Sequence, residues 1–539
     1  MGQRLPTCGG SMILDAHSVP TGTVIETDIC IIGGGAAGIA LAREFIDSGL
    51  RVTLLESGGE KPDRATQDLY AGSIIGRPYE MFPNSRFRYF GGTTNRWGGA
   101  WCDLPSALDF QTRDDIPYSG WPFPLSHLEP WYRRAQPVLK LGPYGYDLTD
   151  WGIASTDIPE PFLGPHFLCR VLQQAPSNQF GRQYGPELRR AQNLTVYLHA
   201  NALRLHGGEN GGPVGQVDVG VLSGGRFAVR ARTYVLACGG IENARLLLLS
   251  ENEAGAVLGN EHDLVGRFFM LHLEYSGGAI IPSDPNADMS FQTGENGAKH
   301  KRYGRFRRFV SYVSLSDDTR RQGGLPAMRF RFRYPRPSEI DALRRLVFRS
   351  GSNASALQDL MTVIRKSPDL ATYVTRRIVY GRNKPPTPLE EIPLKCTSEQ
   401  MPNPESRIGL GNDRDALGLP KVAVNWQLTE QDQSGLIAAH RLLQAELDRS
   451  GFGKLRSDIP DSGSDWPFDL RGDQHHMGTT RMHRDPKLGV VDENCRVHGT
   501  ENLYMAGCSV FPTGGTFNPT FTIVALALRL ADHVKQRLT

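Results

Sequence analysis

The chain has 539 residues and a formal net charge of +3, too long for one hydrophobic core and nearly neutral for its size, so two or three large sub-structures are expected. Hydrophobic residues at 39% and charged ones at 22%, with 60 glycines and 36 prolines, describe a turn-rich globular protein and exclude disorder as the default. No window of about twenty apolar residues occurs, the start MGQRLPTCGGSM lacks a signal-peptide pattern, and Pro6 stands where a myristoylation signal needs Ser or Thr; a cytoplasmic protein without a transmembrane segment is expected.

Residues 28–60, DICIIGGGAAGIALAREFIDSGLRVTLLESGGE, read as strand, tight turn, helix and second strand. Gly33 permits the turn, Gly35 lets the backbone approach a pyrophosphate, and Gly38 lets helix and strand pack closely. Glu56 ends the second strand 18 residues after Gly38, where an acid accepts hydrogen bonds from both ribose hydroxyls and disfavours NADP. The motif by itself does not separate NAD from FAD.

Residues 90–102, FGGTTNRWGGAWC, hold four glycines, a backbone able to lie against a flat ring or phosphate or simply to form a loop. In the 112–141 segment Ser126 is a plausible cap for a helix from about Leu128 to Leu139. Residues 193–204 alternate like one strand, and 233–250, TYVLACGGIENARLLLLS, repeat the strand, Gly-Gly, helix pattern. Between 299 and 349 fifteen Lys or Arg face four Asp or Glu. Within that stretch RFRFRY, 329–334, reads as a sheet strand with one solvated face, and no recognition motif for nucleic acid accompanies it. Residues 356–380 read as helices that cover a substrate entrance or form an oligomer contact, and 399–428 as two strands, Arg407 to Leu410 and Val422 to Trp426. The eight cysteines are scattered without metal-ligand or paired spacing, so neither zinc nor a disulfide framework is expected and most are small buried hydrophobes.

Near the end, ENLYMAGCSVFPTGG gives a strand and turn, and Asn518-Pro519 starts a helix over 519–537, with Asn518 a simple cap on local sequence alone. The helix N-terminus also suits a negatively charged group. Upstream stands the doublet His475-His476, whose members point to opposite faces of an extended segment. A neutral histidine suits abstraction of an alcohol proton near pH 7, though an ordinary core or surface role is open to any of the 14 histidines.

Taken together, DICIIGGGAAGIALA, GGTTNRWGG, VLACGGIENARLLL and HHMGTTRM … NLYMAGCSVFPTGGTFNPTFTIVALALRLADH resemble the glucose-methanol-choline (GMC) family of FAD-dependent alcohol oxidoreductases, nearest the bacterial pyranose oxidase and glycoside 3-oxidase branch. The resemblance is strong at both ends and weak from about 275 to 395. It implies an α/β (α+β overall) protein. A Rossmann-like FAD-binding domain would be assembled from 25–120, 190–272 and 471–539, with a substrate domain on an antiparallel sheet with covering helices, 121–189 and 273–470.

The family's His-x-x-Gly-Thr register falls on His475, Gly478 and Thr479 and makes His475 the base, with Asn518 as its partner in hydrogen bonding the substrate oxygen. Around the cofactor the resemblance implies Gly33, Gly35, Ala37, Gly38, Glu56 and Ser57. From the glycine-rich loop it adds Gly91, Gly92, Thr93, Thr94, Asn95, Trp97, Gly98, Gly99 and Ala100, and from later segments Ala202, Cys238, Gly239, Asn243, Gly507, Asn518, Pro519 and Thr520. Arg96 replaces a histidine that carries covalent flavin in some relatives, so FAD is expected to be non-covalent. An Asn rather than a second His at 518 resembles the pyranose-oxidising branch and points to oxidation at C2 or C3 of a pyranose or glycoside. Trp97, Trp101 and Phe517 are candidates to stack on the sugar or, equally, to pack in the core. Oxygen or another acceptor would take the electrons. The open alternatives are an aryl or polycyclic alcohol as substrate, and a flavin-binding electron-transfer subunit with a docked partner; a homo-oligomer is compatible with each.

Overall fold

A computed structural model describes residues 12–332 and 389–538, except 80, 81, 83, 98–99, 177–178, 209–211, 288, 290, 292–307, 460–465 and 468–469; between 333 and 388 it describes only 360–361 and 363–365. Gly98, Gly99, most of the basic stretch and most of the 356–380 segment therefore lie outside the described residues.

The apolar run at Val24–Ile32 becomes the centre of a mainly parallel sheet because its residues 29–32 are buried on both faces. It pairs in parallel with Val52–Leu55 on one side and Arg226–Leu236 on the other. Leu194–Leu198 extends the sheet beyond Val52–Leu55, and Leu503–Met505 adds to Arg226–Leu236, both in parallel. Strands from three distant stretches of the chain thus share one sheet. The single strand expected over 193–204 is instead two, Leu194–Leu198 and Asn201–Gly207, because His199 takes the left-handed conformation (φ 57°) and turns the chain; the second piece joins the antiparallel end.

A second sheet, antiparallel in every pairing, runs in the order Gly453–Arg456, His272–Pro282, Ile392–Glu399, Met328–Phe332, Arg308–Leu315, Phe167–Gln174 and Trp101–Cys102. The long helix Glu430–Ser450 covers it, burying Leu436, Ala439, Leu443 and Leu447 with Tyr275, Phe330 and Leu394. Strands Arg407–Arg414 and Pro420–Asn425 pair with each other and with Gly72–Ile74 in a small third sheet.

Two local expectations are corrected. The helix expected from Leu128 begins at Leu125 after Pro124, whose fixed φ of −72° sets the entry, so Ser126 lies inside it and caps nothing. Arg329 of RFRFRY is not on a solvated face: it is 5% exposed, its guanidinium bound to Asp103 (3.3 Å) and to the Asn518 carbonyl (2.9 Å). An alternating Arg pattern reads as a solvated face only when no buried acid awaits it. Of the cysteines, Cys30, Cys102, Cys396, Cys495 and Cys508 are buried thiols, and none of the described ones forms a disulfide.

At the first turn, the helix Ala36–Glu44 approaches the sheet so closely that a Cβ on Gly38 would stand 1.9 Å from the Gly33 carbonyl oxygen. Gly38→Ala is expected to destabilise the protein by about 1–3 kcal/mol through overpacking, measured as a lowered urea midpoint; an unchanged midpoint would mean the helix can move out freely.

Candidate active site

The helix N-terminus at Gly35, the turn at Gly239 and the turn at Gly507 converge on one cavity that opens to solvent. At each of these three glycines an added Cβ would meet nothing within 4 Å, so three bare stretches of backbone from distant parts of the chain face the same empty space. Gly239 (φ 86°) and Gly507 (φ 112°) also adopt backbone that favours glycine. No side chain caps the helix at Gly35. Bare backbone with a free helix start is a cradle for a phosphate-bearing group.

Most residues implied for the cofactor line this cavity: Gly33, Gly35, Ala37, Glu56, Ser57, Gly92, Thr93, Thr94, Trp97, Ala202, Cys238, Gly239, Gly507, Pro519 and Thr520. Others serve behind the wall. The Gly91 N–H bonds the Gly34 carbonyl (2.8 Å), tying the glycine-rich loop to the first turn, and the Asn95 amide donates to Phe90 (2.8 Å). Ala100 accepts from the Ala175 N–H (2.8 Å). Asn243, fully buried, accepts from Cys238 N–H (2.8 Å) and donates to the Ala506 carbonyl (3.2 Å) and Ser509 Oγ (2.9 Å), stapling two cavity turns together. Glu56 receives the Gly34 N–H on Oε2 (2.9 Å) and the Gly58 N–H on Oε1 (2.8 Å), while its burial raises its pKa.

Sequence reasoning passed over a row of charge on one wall. Arg86 (2.7 Å), Arg88 (3.4 Å) and Arg245 (3.3 Å) all reach Glu242, and Arg245 continues to Asp415 (2.6 Å) in the small sheet. Burial works against the Glu242 carboxylate, but the Arg245, Arg86 and Arg88 charges hold it down at about 2. Glu242 and Arg245 both stand within IENARLLL, three residues apart, so that pair was legible in the sequence; Arg86 and Arg88 are brought to it by the fold.

The two histidines part company, although both touch the cavity wall. His476 is 6% exposed, its Nε2 2.9 Å from Tyr79 Oη and 3.3 Å from Ser85 Oγ, its ring stacked near Phe269. Burial, with the Arg86 charge adding to it, pushes its pKa down to about 3. His475 instead turns toward Asp473 and His272. Asp473 Oδ2 contacts His475 Nδ1, and His272 Nδ1 lies 3.0 Å from the same nitrogen. Asp473 Oδ1 accepts the main-chain N–H of His475 (2.8 Å) and of His272 (3.1 Å). Burial opposes the Asp473 carboxylate, yet the two histidines hold it well below the ordinary range.

This cluster is built by a β-ladder. Leu273 pairs with Gly472 and Glu274 with Arg471, the Asp473 N–H bonds the His272 carbonyl (3.0 Å), and Met270 pairs with Met477. His272 was invisible in the sequence, 203 positions from His475. Asn518, expected beside His475, has its side chain directed elsewhere: its carbonyl oxygen accepts from Arg329 (2.9 Å), its amide donates to the Trp101 carbonyl (2.8 Å), and its main-chain N–H bonds Asp103 (2.9 Å). The last helix still begins at Pro519, with Pro519, Thr520 and Ile523 on the cavity wall. Of the aromatic candidates Trp97 lines the cavity, whereas Phe517 is 2% exposed and packs beside Phe511, a core role.

Because the folded state keeps His476 neutral down to about 3 while the unfolded chain protonates near 6.5, the unfolded state binds more protons between these values. Stability therefore falls as pH drops through that window, by up to about 1.4 kcal/mol per pH unit for this one group. His476→Gln, which removes the titration and keeps an amide near Tyr79, is expected to flatten urea midpoints measured between pH 6 and pH 4; a slope equal to the parent's would place the acid sensitivity elsewhere.

Residues 402–527 match the family model described as GMC oxidoreductase. The chain is 25% identical to the fructose dehydrogenase large subunit of Gluconobacter japonicus over 95% of this chain and 98% of the relative, and 25% identical to paromamine 6'-oxidase of Streptomyces fradiae over 94% and 91%. A C-glycoside 3-oxidase of Microbacterium trichothecenolyticum is 30% identical over 28% of this chain and 32% of its own. In fold, the chain is similar to the formate oxidase of Aspergillus oryzae RIB40 (TM-score 0.54, 16% identity, 95% of this chain and 98% of that one). Among the described residues no helix is long and apolar enough to cross a membrane. A cavity walled by three bare glycine turns, an acid at the end of the second strand and a histidine at its edge agree with the match over residues 402–527 and with the relatives that span most of the chain: this is an FAD-dependent alcohol oxidoreductase with a GMC oxidoreductase C-terminal domain.

Proposed function

We propose that the protein oxidises a secondary hydroxyl, C2 or C3, of a pyranose sugar or glycoside to the keto-sugar, with His475 as the base. The observation that carries this reading is the position of His475. It lines the cofactor cavity with its side chain 31% exposed, and its Nδ1 is engaged by Asp473 and His272, which leaves Nε2 without a partner among the described residues. A neutral imidazole with a bare Nε2 takes the hydroxyl proton of an alcohol held beside the cavity. FAD, when bound along the Gly35, Gly239 and Gly507 turns with Glu56 at its ribose, supplies the hydride acceptor. Trp97 on the cavity wall offers an apolar face for the substrate ring, and Asn518, clamped by Arg329 and Trp101, holds the start of the last helix in place beneath it.

Sugar-like substrates are supported by the relatives: fructose dehydrogenase and paromamine 6'-oxidase over most of the chain, C-glycoside 3-oxidase over a part. The positions of oxidation in these relatives' names do not converge, so C2 or C3 rests on the resemblance at Asn518. A second reading, a dehydrogenase subunit that passes electrons to a docked protein, is favoured by one fact: the relative matched over 98% of its own length is named a large subunit.

Non-covalent attachment of FAD follows from Arg96, an exposed guanidinium lying over the Phe87 ring (4.9 Å) at the position before Trp97. Acid precipitation is expected to leave the yellow colour in the supernatant; colour in the pellet means a covalent bond. For the reaction itself, anaerobic bleaching of the flavin is measured against a panel of sugars, glycosides and aryl alcohols. Pyranoses or glycosides are expected to bleach it, and His475→Ala to slow the bleaching by about 10²–10⁴-fold. Bleaching by aryl alcohols alone would replace the substrate class, and a His475→Ala protein as fast as the parent would remove the base. Repeating the panel with oxygen and then quinones identifies the acceptor, and no turnover with either favours the docked-partner reading.

A further inference from the structure

The three side chains His272, Asp473 and His475 form a closed cluster whose hydrogen positions can be worked out. His272 is fully buried at the first residue of the strand His272–Pro282. Its Nε2 faces the Gly514 carbonyl at 3.4 Å, and a carbonyl only accepts, so Nε2 carries the hydrogen. A neutral His272 then presents a lone pair at Nδ1. That nitrogen lies 3.0 Å from His475 Nδ1 and 3.5 Å from Asp473 Oδ2; with the His272 hydrogen on Nε2, the shorter of these contacts is made by the Nδ1–H of His475. Asp473 Oδ2 accepts the same N–H, and it cannot swing away because Oδ1 is pinned by two main-chain N–H groups, one from each strand of the ladder.

We propose that Asp473 and His272 are positioning residues that together fix the Nδ1–H tautomer of His475 and so keep its Nε2 lone pair on the cavity side. The proposal rests on the reading of His475 as the base and adds what makes it one. Neither residue lines the cavity; both act through His475. The reverse arrangement, with a hydrogen on His272 Nδ1, would make His475 Nδ1 the acceptor and put its hydrogen on Nε2, where it blocks proton abstraction. When Nε2 takes the alcohol proton, the imidazolium keeps its Nδ1–H on Asp473, whose negative charge then faces a positive one; the proton stays on His475 and no further transfer is needed. Among the described residues the other ionisable groups beside the cluster are His476, Tyr79, which bonds the Asp473 carbonyl at 2.7 Å, and Cys508, whose thiol meets the His476 carbonyl at 3.1 Å, with the Arg86 charge acting on His476.

The test uses flavin-loaded protein, with Asp473→Asn, Asp473→Glu, His272→Gln and His475→Ala compared by anaerobic stopped-flow reduction with the best alcohol of the panel. Asp473→Asn is expected to lower the limiting reduction rate on the order of 10²-fold with little change in the half-saturating alcohol concentration. It is also expected to move the acid limb of the rate to lower pH, because no carboxylate then supports the imidazolium. Asp473→Glu should recover part of the rate, and His272→Gln should lower it with bound flavin unchanged. If Asp473→Asn does not fold, the His272→Gln and Asp473→Glu rates decide. A slower Asp473→Asn whose acid limb has not moved means a merely structural role and overturns the proposal. Parent-like rates in Asp473→Asn and His272→Gln with a stalled His475→Ala overturn it while leaving the base in place; a parent-like His475→Ala overturns both. Activity lost on dialysis against EDTA and restored by zinc also overturns it, in favour of a metal held by the same three side chains.

Discussion

The ladder between residues 270–274 and 471–477 is the constraint on which the site depends. It runs where the parallel cofactor sheet gives way to the antiparallel one, and its register alone sets His272 opposite Asp473. A slip of one residue would turn every side chain to the opposite face and separate the carboxylate from both histidines. The ladder is itself held from both sides. Gly266 donates to Thr479, Phe269 donates to Ser406, and the His476 carbonyl sits against Gly240 so tightly that a Cβ there would stand 2.0 Å away.

Around that ladder the molecule separates two kinds of surface. The cavity wall is mostly backbone and small side chains on the side of the glycine turns, where close approach matters more than side-chain chemistry. The same cavity is also lined by the Arg86, Arg88, Glu242, Arg245 and Asp415 network, which binds the helix Glu242–Leu248 to the small third sheet. A buried network of this kind is weak evidence for stability, since desolvation offsets most of the Coulomb attraction; its physical effect is to fix the wall in one arrangement. Similarly, Arg329, Asp103 and Asn518 lock the start of the last helix to the antiparallel sheet, so the two halves of the protein meet through hydrogen-bonded charge as well as through apolar packing.

What could be read from the sequence was local. The first glycine turn, Glu56 at the end of its strand, the repeat of strand, Gly-Gly and helix near residue 238, and the helix start at Pro519 all announce themselves within about twenty residues, because turn and cap geometry is written in neighbouring residue types. The divergence of His475 and His476 followed from strand alternation. His272 and Arg329 did not, because each is defined by a partner hundreds of positions away and nothing in MLHLEY or RFRFRY distinguishes a buried polar residue from a solvated one. Asn518 shows the same limit from the other side: a good cap by local pattern, it is claimed by Trp101 and Arg329 through the tertiary fold. Asp473 lay two residues from the histidine that was noticed, and a carboxylate at that spacing is a signal worth reading.

The discontinuous origin of the cavity has a consequence for the order of events during synthesis. Its wall draws on residues from Ile32 to Ile523, and the parallel strand Leu503–Met505 and the turn at Gly507 close it. A nascent chain can form the first glycine turn early, but the central sheet stays incomplete and Tyr234–Leu236 unpaired on one side until Leu503–Met505 has left the ribosome. Cofactor capture consequently follows the emergence of that strand and of the cavity residues up to Ile523, and the interval before it is when the unpaired strand is most open to wrong partners.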